Sequence, residues 1–300
     1  MALLAAVGMV AGALALRQAL DDDRDDSPRA GDDALVVVCD PDLTAACDAL
    51  GDDVEVRVED SATTSAALVA GEADDVDAWV TSAAWLELTA SRAEEPVGEA
   101  NVLASSPVVL AADVDRVDAL RELCGDAAIW RCVGDSAGRP WEELGGDSRW
   151  GPLLTGLPDA DTAVGLSVLA SVAVGYFDHT DFAANDFGEL RGWLSTLAEA
   201  SGDGDRQLVR SLVRVRGTYS AGGLVEGGAE HADLASLPAS PTVEAVAVLV
   251  DLPGGDRLPD LASVREALST GGWDAGDGDP PSLLKPGVMA ALHNLWKDVT

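Results

Sequence analysis

The chain has 300 residues, 47% of them hydrophobic, with 53 acidic residues against 19 basic ones and a formal net charge of −34. That apolar fraction supports a packed core and excludes global disorder. A surface so negative repels phosphate backbones and anionic lipid, which argues against nucleic acid as a partner. The acid surplus itself reads first as a solubility device.

In chain order, residues 2–16 form an unbroken apolar or small run. It is short of the about 20 residues that span a bilayer and suits the apolar region of an export signal, with Ala13-Leu14-Ala15 as a small-residue cleavage site. Residues 1–20 are therefore expected to be a signal peptide or membrane anchor. Residues 21–33, dominated by Asp, read as a solvated linker. A β-branched run at 35–38 predicts a buried parallel strand, and Asp40-Pro41-Asp42 breaks it before a helix at 43–50 that Asp42 can cap. Residues 54–58 alternate as a second strand. A helix follows at 61–70, then a strand at 76–80, then a helix opened by Thr81-Ser82. This βαβ spacing predicts a parallel sheet with helices on both faces.

Further strands are expected within 101–112, at 129–133 and at 243–252. Helices are expected at 113–123, 162–176, 187–198, 205–216, 261–268 and 286–296. The Gly-rich stretch 218–241 shows no clear period. Trp130, Trp141 and Trp150 flank one cysteine loop and read as a small core beside it, ahead of a stacking platform.

Cys39 and Cys47 are eight apart, as are Cys124 and Cys132. Four cysteines allow three pairings, and the even number and matched spacing favour two local disulfides over four free thiols, in an oxidising compartment. His179, His231 and His293 are too scattered for a zinc site. The glycine pairs are turn signals, since no phosphate-loop or nucleophile-elbow pattern accompanies them. No cofactor, metal or catalytic residue is expected.

Several segments resemble the type II extracellular solute-binding proteins, the receptors of ABC importers, and among them the molybdate-receptor branch. Residues 35–44 resemble that family's first strand and its hydroxyl-bearing turn. Residues 61–79 resemble the next turn, helix and strand, 102–112 a crossover strand, and 156–166 the turn opening a second-lobe helix. The resemblance covers about residues 34–300. It implies an α/β, two-lobed fold with mixed sheets flanked by helices: lobe one at 34–104 plus 250–300, lobe two at 113–240, and hinge strands at 105–112 and 241–249.

The implied function is capture of a small-molecule ligand between the lobes, outside the cell, for delivery to an ABC permease. A membrane-anchored sensory or interaction ectodomain is the alternative. Ligands of such folds meet helix N-termini, where unpaired N–H groups and partial positive charge converge. The candidate positions are Asp42, Leu43 and Thr44; Thr63, Thr64 and Ser65; Thr81 and Ser82; Asp161, Thr162 and Ala163; and Tyr219. Each short polar residue among them also suits an ordinary helix cap. Asp40, Asp42, Asp159 and Asp161 lie on these turns, and their carboxylates would compete with an anionic ligand for the helix ends. A neutral or cationic ligand, or a gap filled by the protein itself, fits that pattern better than a bare oxyanion.

Overall fold

The structure, a computed structural model, describes residues 35–201, 204–214, 218–253, 260–277 and 283–300. The expected export segment and acidic linker lie outside the described residues.

The strands are β1 (Leu35–Cys39), β2 (Val54–Val58), β3 (Ala78–Ser82), β4 (Glu99–Ala112), β5 (Thr155–Gly156), β6 (Ala221–Val225), β7 (Ala235–Pro238), β8 (Glu244–Asp251) and β9 (Asp274–Ala275). The apolar run of β1 is buried at its last three residues. It lies between β2 and β3, parallel to both, as a strand apolar on both faces should. Strand β8 runs antiparallel to β3 on one side and to β4 on the other, so the parallel pairing that the βαβ spacing predicted holds for β1 to β3 and the sheet as a whole is mixed, as the resemblance implied.

Strand β4 belongs to two sheets. Its residues up to Pro107 pair with β8, while Val108 to Ala112 pair with β6 and β7, and β5 adds to β6. Pro107, which has no N–H to donate, stands at this change of partner. The chain passes between the sheets there and again between β7 and β8. A lobe of helices is built on each sheet, giving the two-lobed α/β architecture.

The lobes share one core. The helix Ala163–Phe177 is buried along nearly its whole length and packs on β3, β4 and β8 of the first sheet as well as β6 of the second. The final helix, Pro286–Val299, lies across both lobes, against Ala83–Ala90 of the first and Phe187–Ser201 of the second. A single apolar cluster includes Val80 and Leu88 on one side and Leu120 and Leu169 on the other. At about 25 cal/mol per Å² of buried apolar area, such a joint resists separation.

Three expectations are corrected. Residues 129–133 are not a strand but part of the helix Ile129–Asp135. Ile129, Trp130 and Val133 are buried, Arg131 is exposed and Cys132 is half-buried beside its disulfide partner, which is a helical period. The 43–50 helix divides into a 3₁₀ turn, Pro41–Leu43, and a short helix, Thr44–Asp48, and the first of these is capped by Asp40 and not by Asp42. Thr81 and Ser82 end β3, and the helix begins after them at Ala83. Within the stretch that sequence left open, β6 holds Gly222 and Gly223. A Cβ on Gly223 would lie 2.5 Å from Val168, so glycine lets the central helix sit close.

Both local disulfides form, Cys39–Cys47 with Cα atoms 6.0 Å apart and Cys124–Cys132 at 5.6 Å. In the chain-entropy model each such short loop stabilises by about 2.5 kcal/mol. Trp130 and Trp141 are buried and donate to Ser171 and Ser220, so these two are core residues, and half-buried Trp150 packs against the core and meets Trp141 edge-on.

Candidate functional site

The site grows from the end of β1. Asp40 is the first residue beyond that strand and is fully buried. Its backbone N–H donates to Val80 of β3, which holds it at the carboxyl ends of the parallel strands. One carboxylate oxygen, Oδ1, accepts from the Asp42 N–H at 2.9 Å. The other, Oδ2, accepts from the Ser61 N–H at 3.0 Å, from the Ser61 hydroxyl, and from the Ala163 N–H at 2.9 Å. Ser61 opens the helix Ser61–Ala70 in the first lobe, and Ala163 opens the central helix of the second. One buried carboxylate therefore joins two helix beginnings across the lobe junction, where helix dipoles favour negative charge.

Asp42 repeats the contact from the rim. Its Oδ2 accepts from the Val164 N–H at 3.0 Å, and its outer side is open to solvent. Thr162 caps the central helix by accepting from Gly165. The first three turn-opening amides of that helix thus meet Asp40, Asp42 and Thr162.

Around this latch the lobes are tied further. The Trp85 indole donates to the Thr162 carbonyl at 2.8 Å, and the Ala62 N–H donates to the Asp161 carbonyl at 3.0 Å. Arg206 bridges Asp60 of the first lobe, at 2.7 Å, and Asp159 of the second, at 2.9 Å. Asp161 takes His293 at 2.9 Å and also Lys297, both on the final helix. His293 in turn meets Trp85 edge-on at 5.1 Å.

The expected ligand residues separate into two groups. Asp42, Thr81, Asp161, Thr162 and Ala163 come together at the junction, with Thr81 bonded through its hydroxyl to Ser61. Leu43 is buried beside it, and Ser82 is buried next to Thr81 with no hydrogen-bond partner for its hydroxyl among the described residues. The others have local partners. Thr44 donates to Pro41, Thr64 to Glu59, and Ser65 accepts from Thr89. Thr63 is bonded through its N–H to Asp60. Tyr219 donates to the Ser201 carbonyl within the second lobe.

Asp40, which sequence reasoning placed on the turn but not among the ligand residues, and Ser61, Trp85, Arg206, His293 and Lys297, which it did not single out for the site, also build the junction. The signal for Asp40 was present: an Asp-x-Asp immediately after an apolar strand. The spacing of His293 and Lys297, four apart on an amphipathic helix, was a weaker one. Among the described residues no group of three or more His, Cys, Asp or Glu is arranged to hold a metal ion, and no helix is long and apolar enough to cross a membrane.

Burial, and next the charge of Asp42, push the Asp40 carboxyl up to about 7, although its hydrogen bonds oppose the shift. The hydrogen bond from His293, and then that from Lys297, hold Asp161 down at about 2. Their effects on stability have opposite signs. The folded protein binds a proton at Asp40 more readily than the unfolded chain does, so stability rises as pH falls through about 7 towards the unfolded value of 3.8. The Asp161 contribution is present above 3.8 and is lost as pH falls through about 2. Urea unfolding across this range should therefore show a maximum on the acid side of neutrality. A flat profile between about pH 5 and 8 would contradict a carboxyl whose neutral form is favoured by burial.

No family model and no curated protein matches the chain. Solved structures do. The periplasmic binding protein P5PA is 13% identical, with a TM-score of 0.44 over 79% of each chain. An ABC-type phosphate transport receptor from Vibrio cholerae is 11% identical, with a TM-score of 0.43 over 81% of this chain and 99% of that one. The regulatory domain of a variant OxyR2 from Vibrio vulnificus is 13% identical, with a TM-score of 0.42 over 79% of this chain and 96% of that one. Similarity at this level concerns the fold and carries nothing about ligand or chemistry.

Proposed function

We propose that this chain is an extracytoplasmic binding module of the two-lobed receptor kind whose central gap is occupied by its own carboxylates. It works as a permanently closed sensory or interaction ectodomain. The observation that supports this reading is the bridge from Asp40 to both Ser61 and Ala163, reinforced by Asp42 on Val164. Receptors that capture and release a solute need a gap that opens. Here the amides that would greet an anion are already paired, and the apolar core continues through the junction. An oxyanion of the molybdate kind would have to displace two carboxylates from a fully hydrogen-bonded position.

Two disulfides support an oxidising compartment, outside the cytoplasm. The apolar run at 2–16 supports export or a tether to the outer face of the membrane. A binding role in place of catalysis is supported by the chemistry of the junction. Its His293 and Asp161 are spent on each other, and all four cysteines are in disulfides.

A second reading, solute capture for an ABC permease, is favoured by one feature, an open cleft of about 1050 Å³ beside the latch. Small-angle scattering with a panel of amino acids, polyamines, sugars, phosphate and molybdate separates the two. The closed reading expects an unchanged radius of gyration with every compound. Compaction with any of them would establish an opening hinge and return the chain to the transport reading.

A further inference from the structure

The cleft beside the latch has a composition of its own. One wall is the helix Leu208–Arg214 of the second lobe, and the opposite wall holds Leu268 and Trp273 of the first. The helix buries Leu208 and packs Leu212 inward. Its other face carries Val209, Arg210, Val213 and Arg214, spaced as one helical stripe. Val209 is 39% exposed and Val213 44%, two of the few large apolar side chains left open to water among the described residues.

The arginines are equally out of keeping. In a chain of net charge −34, most described Arg and Lys side chains are paired with a carboxylate. Arg206 at the cleft edge is paired twice. Among the described residues Arg210 has only the Gln207 amide oxygen as a side-chain partner, and Arg214 has no side-chain partner. Among the described residues no carboxylate forms an ion pair with either guanidinium, although Asp42 and Asp205 also line the cleft. A guanidinium presents a planar fork that matches a carboxylate or sulfonate.

We infer that this cleft binds an amphipathic organic monoanion, an acyl or aryl carboxylate or sulfonate. Its head lies against Arg210 and Arg214, and its apolar body lies between Val209, Val213, Leu268 and Trp273. The overall negative field opposes polyanions most, while two local arginines suffice for a single charge once salt screens the remainder. The volume, about 1050 Å³, lies just above the about 300–1,000 Å³ usual for small-molecule pockets, which admits a long acyl chain or a fused ring system. The inference rests on and deepens the second reading above, ligand capture at the lobe junction; Asp42 and Val164 of the latch line the inner edge of the cleft while Asp40 does not, so a ligand there can leave the Asp40 bridge closed.

The test uses the full chain and 8-anilinonaphthalene-1-sulfonate as a fluorescent probe, displaced by decanoate, decanol or decyltrimethylammonium. Decanoate should displace the probe best of the three. The double variant Arg210→Gln with Arg214→Gln should weaken decanoate by at least tenfold while leaving the unfolding temperature and the radius of gyration unchanged. Val213→Asp, which sets a carboxylate on the same exposed face, should weaken it comparably. Equal displacement by decanol or by the cation, no binding of any probe, or unchanged affinity in both variants would overturn the assignment. Scattering in the same samples reads the latch separately, so loss of this site and loss of the closed state are distinguishable.

Discussion

At pH 8 and above, where Asp40 is ionised, replacing it by Asn should cost about 3 kcal/mol and loosen the lobe junction, because a buried carboxylate with two acceptor oxygens is exchanged for an amide with one. The Asn amide N–H₂ would have to face the Asp42 N–H, or else both the Ser61 and the Ala163 N–H, and donor against donor is repulsive. Urea unfolding reads the loss of stability. Hydrogen exchange at Ala163 and Val164 reads the junction directly, and both amides should lose protection ahead of the rest of the core. Asp40→Ala carries the argument further. It leaves a carboxylate-sized space ringed by N–H donors at two helix beginnings, so added formate should restore part of the lost stability by binding the folded state alone. An Asp40→Ala protein as stable as the parent, and indifferent to formate, would sink the proposal that this residue acts as a built-in ligand.

Gly165→Ala should be comparably damaging, by about 3 kcal/mol or more, for a steric reason. A Cβ there would lie 1.7 Å from the Asp159 carbonyl oxygen, which is backbone and cannot swing aside. The 159–162 turn and the start of the central helix would have to part, and with them the amides held by Asp40 and Asp42. Gly192→Ala is the matched comparison. Gly192 lies within the helix Phe187–Ser201, where a new Cβ meets nothing within 4 Å. Alanine there should stabilise by about 0.8 kcal/mol through helix propensity alone. Chemical denaturation of the two variants side by side separates a glycine needed for close approach from one that is not.

Several elements are legible in the sequence. The apolar run of β1, the helix Ser61–Ala70 with Gly71 ending it in a left-handed conformation, the apolar helix at 163–177 and strand β8 are all written in local pattern and end signals. The two disulfides followed from matched spacing, since a local loop of eight residues leaves little freedom in the choice of partner. Ile129 to Val133 misled because a short apolar segment satisfies both periods, and only its packing partners decide between them. Strand β6 was hidden because its glycines answer to neighbours far away in sequence, among them Val168, Leu208 and Leu212.

By itself the sequence determined the alternation of strands and helices, the acid surplus, the cysteine pairs and the presence of carboxylates on the turns that face the junction. All of these are properties of residues within a few positions of one another. Only the tertiary structure decided what those carboxylates do. Asp40 and Ala163 are 123 positions apart, and their hydrogen bond exists because two lobes bring two helix beginnings to one buried oxygen. The same holds for the final helix, whose His293 and Lys297 reach Asp161 only after the chain has folded back across both lobes. Local pattern sets which groups need partners, and long-range packing sets which partners they meet.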